Sequence, residues 1–148
     1  METISPNRKI VLVSCVSRKR NEPTRAKDLY TSQWFIKARA YAELYGDELY
    51  ILSALWGLVS PEQIIKPYNQ SLNEYKKKER DDWASRVAKD IYSRVPKGSS
   101  IIILAGRKYR QGLVARLENE GYRVEVPMLE LGIGKQLRYL NEAIESDR

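Results

Sequence analysis

Four short apolar runs rich in β-branched residues punctuate the chain: KIVLVS at 9–14, ELYILSA at 48–54, SSIIILAG at 99–106 and YRVEVPM at 122–128. The first three are almost continuously apolar, the pattern of strands covered on both faces in a parallel sheet. The fourth alternates, as an edge strand does. Helical periodicity fills the intervals. Over residues 32–45, Trp34, Phe35, Ala38, Tyr41, Ala42 and Tyr45 recur at helical spacing, and Gly46 predicts the stop. Residues 71–95 open on Ser71-x-x-Glu74, a capping box, and carry an apolar stripe of Trp83, Val87, Ala88, Ile91 and Val95 before PKG at 96–98. Leu113, Val114 and Leu117 predict a third helix over 108–119, and Leu137, Leu140 and Ile144 a fourth over 135–144.

The resulting order, β-α-β-α-β-α-β-α, predicts one α/β domain spanning residues 1–148, with four strands in a mostly parallel sheet. Residues 55–70, LWGLVSPEQIIKPYNQ, interrupt it as a long irregular excursion whose Trp56, Ile64, Ile65 and Tyr68 predict order. In an open parallel sheet, ligands bind at the carboxyl ends of the strands, where strand order reverses. The four segments following the strands, SCVSRKR, SALWGLV, AGRKYRQG and PMLELGIGKQ, then converge on one edge.

Composition narrows the chemistry that this edge can host. The chain has no histidine and a single cysteine, Cys15. Imidazole bases, Ser-His-Asp and Cys-His pairs, His-ligated metals, a structural zinc site and an internal disulfide are all excluded. No metal or cofactor is expected. No apolar run nears the roughly 20 residues that span a bilayer, and METISPNRK lacks a signal core. A cytoplasmic protein without membrane contact is the expectation. Lys and Arg number 26 against 19 Asp and Glu, a net charge of +7. That balance suits a polyanionic partner, nucleic acid or nucleotide, though a basic soluble protein shows it too.

Candidate residues fall in the segments after the strands. Ser14 and Ser17, leaving the first strand beside Lys19, can present hydroxyls and amides to an anion. Cys15 is either a nucleophile activated by neighbouring cations or, as a lone cysteine in an α/β core more commonly is, a small packed hydrophobe. In AKDLYTSQWF, Ser32 or Thr31 caps a helix, Lys27 is an anion contact, and Asp28 is the carboxylate best placed to activate water. Turn and capping chemistry explains the same segment equally well. AGRKYRQG joins Gly106 to Arg107, Lys108 and Tyr109, basic residues with an interleaved aromatic, which fits phosphate contact and base stacking. LGIGKQL places Gly132 and Gly134 before a helix with Lys135 in its first turn, an anion-binding arrangement with neither Walker A nor GxGxxG spacing. Tyr30, Trp56 and Tyr68 are candidate stacking rings, or the lid of the core.

Taken together, LVSC-x-S-x-K, AKDLYTS-x-x-F-x-x-ARAYAE, YILSA-x-x-GLV-x-P, PY, LAG-x-x-Y and LGIGKQL-x-x-L resemble an uncharacterised family of small microbial and phage proteins, a domain of unknown function. The resemblance runs from about Lys9 to Leu140. More distantly, Cys15, Lys19, Tyr30 and Ser32 look like a loosened form of the motif in the core domain of archaeosine synthase. Phe35 stands near the place of that family's histidine. That domain is similar in fold to uracil-DNA glycosylases, which implies a three-layer sandwich with strand order 2-1-3-4. Asp28 can stand for their water-activating residue; nothing here can stand for their histidine. Peroxide-stress proteins of the YaaA type, which bind DNA, are loosely similar as well. These likenesses imply a nucleic-acid-directed enzyme acting on a nucleobase or its N-glycosidic bond, with Asp28, Lys19 or Cys15 carrying the chemistry. A non-catalytic nucleic-acid-binding protein and a small-nucleotide enzyme are the alternatives.

Overall fold

A computed structural model describes residues 8–14 and 19–146. In chain order its elements are β1 (Lys9–Ser14), β2 (Thr24–Arg25), α1 (Ala26–Leu29), α2 (Gln33–Tyr45), β3 (Glu48–Ser53), β4 (Gly57–Val59), β5 (Ile64–Ile65), a 3-10 turn (Leu72–Glu74), α3 (Lys77–Arg94), β6 (Ser100–Leu104), α4 (Arg107–Arg110), α5 (Leu113–Asn119), β7 (Arg123–Glu125) and α6 (Ile133–Ser146).

The main sheet runs β4-β3-β1-β6-β7. β1 pairs in parallel with β3 and β6, so Val11 lies opposite Leu49 on one side and Ile102 on the other. β7 adds in parallel to β6 and forms one edge of the sheet. Ile10 to Val13 are fully buried, so both faces of the central strand are covered, as a continuous apolar run requires. The helix pairs α2/α6 and α3/α5 flank the sheet. Polar ties lock the first pair: Tyr45 donates to the Ala143 carbonyl at 2.7 Å, and Lys37 donates to Asn141.

The sheet has five strands where the apolar runs predict four, because LWGLV is not a loop. Gly57, at φ 74°, turns the chain, and β4 returns antiparallel on β3. The rest of the 55–70 excursion is ordered too. β5 pairs antiparallel with β2, and the Ala26 and Lys27 amides donate to the carbonyls of Gln63 and Pro61 at 2.8 and 3.0 Å.

Helix boundaries show where local signals were overridden. Ser32 caps α2 as its type predicts, its Oγ accepting from the Phe35 amide at 3.2 Å. Ser71 instead caps the 3-10 turn, and α3 starts later, where the Glu79 carboxylate accepts from the Lys76 amide at 2.8 Å. The helix expected over 108–119 is broken into α4 and α5 around Gly112, where a Cβ would lie 2.8 Å from that of Ala84 on α3. Close packing between helices thus places the break.

Gly46 does end α2, but in extended backbone rather than left-handed conformation. Its glycine is required sterically: a Cβ there would lie 2.7 Å from Val11 Cγ2 and 2.9 Å from the Ala42 carbonyl oxygen. Gly46→Ala is therefore expected to destabilise the fold by about 1–3 kcal/mol through overpacking. Urea denaturation with unchanged m-value checks this; unaltered stability would show that β1 and α2 separate freely there.

Candidate functional site

The four parallel strands β3, β1, β6 and β7 present their carboxyl ends on one edge, and the chain after each builds the candidate site there. Cys15 and Ser17 lie outside the described residues. Ser14, the last residue of β1, is buried, paired in register with Leu52. Its hydroxyl is therefore not on the open rim.

Lys19, Tyr30 and Tyr68 come together beside β1. The two tyrosine hydroxyls hydrogen-bond each other, and their rings meet edge-on with centroids 6.4 Å apart. Lys19 Nζ lies 4.5 Å from the centre of the Tyr68 ring and 5.7 Å from that of Tyr30, a cation–π arrangement. Tyr30 is 2% and Tyr68 8% exposed, so both rings are committed to this cluster, and Tyr30 also packs on Phe35. Trp56, at 45%, keeps an open face. Tyr109 is 3% exposed, edge-on to Trp83, with its hydroxyl accepting from the Leu72 amide at 3.4 Å. It pins α4 to the 3-10 turn rather than facing a groove.

Asp28 opens into a cleft of about 340 Å³, lined also by Arg20, Lys27, Thr31, Phe35 and Arg39. That volume is within the ~300–1,000 Å³ range of small-molecule sites. Arg39 Nη1 donates to Asp28 Oδ1 at 2.9 Å and its Nε to Glu43 at 3.0 Å, while Arg20 Nε donates to the Asp28 carbonyl at 2.9 Å. Partial burial works against the Arg39 charge, yet Glu43 and Asp28 hold its pKa above the ordinary value. Lys27 is bound to Glu62 at 2.7 Å. Arg20, Arg39, Glu43 and Glu62 escaped the sequence reading. Arg39 reaches back across the helix start, and Glu62 arrives only through the β2/β5 pairing, so neither leaves a local motif.

A second, smaller groove of about 70 Å³ lies at the end of β6, between Trp34, Gly106, Arg107, Arg110, Met128 and Gln136. It joins the two segments expected to converge, AGRKYRQG and LGIGKQL. Trp34 Nε1 donates to Gln136 Oε1 at 2.8 Å, and Gln136 Nε2 to the Leu131 carbonyl at 2.7 Å. This chain of bonds fixes the start of α6, which begins at Ile133 and so holds Gly134 and Lys135 in its first turn. Gly106, Gly132 and Gly134 all face open space on their Cβ side. Among the described residues no ion pair neutralises Arg107, Lys108, Arg110 or Lys135, in contrast to Lys27 and Arg39 beside Asp28. No group of three or more acidic or cysteine side chains among the described residues is placed to hold a metal ion, and no helix among them is long and apolar enough to cross a membrane.

Fold and edge together define a mixed α/β protein with a five-stranded, mostly parallel sheet and a basic rim at its carboxyl end. The chain belongs to the family of unknown function DUF6884, whose model matches residues 10–142. It is also similar to the uncharacterized protein YfjM of Bacillus subtilis (strain 168), at 27% identity over 135 residues, covering 83% of this chain and 82% of that protein.

Two outcomes test the local geometry. Gln136→Leu leaves the Trp34 indole without its acceptor and is expected to cost about 1–3 kcal/mol of stability, read by urea denaturation. The hydrogen bond from Lys27 holds the Glu62 carboxyl below its ordinary 4.5. A depressed folded-state pKa contributes stability that is present above the unfolded value and lost as pH falls through the folded one. The Tm advantage of the native chain over Glu62→Gln is thus expected at neutral pH, and to vanish in acid below 4.5. A pH-independent difference would show that the pair contributes no linkage.

Proposed function

We propose that the protein is a nucleic-acid-directed enzyme that holds phosphates on its basic rim and acts on a nucleobase, or its N-glycosidic bond, in the Asp28 cleft. The observation that carries the nucleic-acid reading is the rim: Arg107, Lys108, Arg110 and Lys135, in α4 and at the start of α6, have no ion-pair partner among the described residues. Unneutralised like charges repel, and a polyanion relieves that repulsion while releasing counterions. The net charge of +7 supports the same partner.

The parallel strands run β3-β1-β6-β7, which supports a three-layer, uracil-DNA-glycosylase-like fold of order 2-1-3-4 when those strands alone are numbered. In this reading Asp28 orients or deprotonates the attacking water, with Arg39 fixing the carboxylate through Oδ1. A base has to leave the stack to reach such a cleft; Trp56, the exposed ring of the three stacking candidates, lies outside the lining of that cleft. Lys19, held over Tyr68, is the second candidate for the chemistry.

The non-catalytic alternative has its own support. The Asp28 carboxylate is engaged by Arg39, as in a structural ion pair. The two readings separate on Asp28→Asn. With single-stranded and duplex oligonucleotides, mass spectrometry for released or altered base is expected to show turnover reduced by about 10²–10⁴-fold, with binding retained. Equal turnover in the variant removes Asp28 from the chemistry. Binding with no altered base in the native chain establishes the non-catalytic reading.

A further inference from the structure

A third cleft, of about 390 Å³, lies on the other side of α4 from the Gly106 groove, between α4, α5 and the first turns of α3. Lys77, Arg80 and Lys108 line it with a single carboxylate, Asp81, and its remaining wall is Gln111 and Gly112. The charge is built from separate elements: Lys77 and Arg80 from α3, Lys108 from α4. Arg80 is held in place by its Nη1, which donates to the Tyr75 carbonyl at 2.6 Å. Neither Lys77 nor Lys108 has an ion-pair partner among the described residues. The wall at Gly112 exists because α5 approaches Ala84 of α3 too closely for a side chain there.

The arrangement is electrostatically unfavourable on its own. Three cations meet one carboxylate in a concave space, and Lys77 and Lys78 share the first turn of α3 with a single acid, Glu79, where the helix dipole favours negative charge. A bound phosphate offsets the excess of positive charge. α4 meanwhile splits its basic residues: Lys108 lines this cleft, whereas Arg107 and Arg110 line the Gly106 groove.

We propose that this cleft is a second phosphate site, and that α4 lies between two phosphates of one nucleic-acid strand, one held by Lys77, Arg80 and Lys108 and another by Arg107 and Arg110. The proposal rests on the nucleic-acid reading and extends it from a rim to a track. It assigns Lys77 and Arg80, on a helix remote in sequence from the other basic segments, to the same ligand. A free nucleotide offers the same phosphate chemistry, so the test carries both.

Binding of a labelled single-stranded 20-mer and of a nucleoside monophosphate is measured across salt concentrations for the native chain and for Lys77→Gln, Lys108→Gln, Arg107→Gln and Lys89→Gln. Lys89 is an exposed residue farther along α3 and serves as the control. Each lost phosphate contact is expected to lower the slope of log affinity against log salt by about 0.7 for a single strand. Lys77→Gln and Lys108→Gln are expected to do so, Lys89→Gln not, and the losses in a Lys108→Gln, Arg107→Gln double variant to add. If the cleft variants change only mononucleotide affinity, the phosphate site stands but the track is overturned. If Lys77→Gln changes neither ligand's binding while Arg107→Gln and Lys108→Gln still lower the slope, the cleft is not a phosphate site and the rim reading survives. If none of the variants alters either ligand's binding, both fall.

Discussion

Everything in this protein hangs on β1. It is hydrogen-bonded in parallel on both sides, to β3 and β6, and its four central residues are fully buried. Burying each such side chain contributes about 1.5–3 kcal/mol. A strand with no exposed face or edge cannot shift register without breaking two ladders at once. That rigidity sets where Ser14 ends; Lys19 is placed by its antiparallel bridge to Tyr30. Val11 also meets the backbone of Gly46 so closely that the α2–β3 turn has only one residue type available to it.

On this frame the excursion between β3 and α3 closes over the carboxyl edge. It contributes an antiparallel strand to the sheet and a two-residue pairing to the segment before α1. Tyr68 meets Tyr30, the Leu72 amide meets Tyr109, and Tyr75 donates to the Ala54 carbonyl at 3.3 Å. Tyrosine hydroxyls thus stitch loops that share no regular ladder. Buried polar groups of this kind need partners, and the partners come from segments far apart in sequence.

Charge is divided along the same edge. Around Asp28, Lys27 pairs with Glu62 and Arg39 with Asp28 and Glu43, while Arg20 donates to the Asp28 carbonyl. Around α4 and the starts of α3 and α6 no such pairs form among the described residues. The first region holds its own geometry through ion pairs, and its cleft is shaped before any ligand arrives. The second gathers cations without ion pairs, with Asp81 the one carboxylate lining their cleft. Shape and charge are therefore supplied by neighbouring but different parts of the edge.

Periodicity and apolar runs alone determined the alternation of strands and helices, the parallel character of the sheet and the edge position of YRVEVPM, and residue type narrowed the α2 cap to Ser32 or Thr31. These depend on local spacing and on whether a strand is covered on one face or two. The absence of histidine limits the chemistry through composition alone, whatever the fold. Local spacing misplaced the start of α3, missed the break at Gly112 and read β4 as loop. Those are set by helix–helix approach, by side-chain capping from Glu79 and by pairing with β3, none of which is periodic. It also grouped Tyr30, Tyr68 and Tyr109 with the ligand-facing residues, since an aromatic in a loop reads the same whether its ring points in or out. Only the tertiary structure decided that those rings are buried, that Arg39 reaches Asp28, and that α4 turns Lys108 to one cleft and Arg107 to another. The reason is physical: contacts between separate elements, eleven positions apart for Asp28 and Arg39 and 38 for Tyr30 and Tyr68, carry no signature in the spacing of either partner.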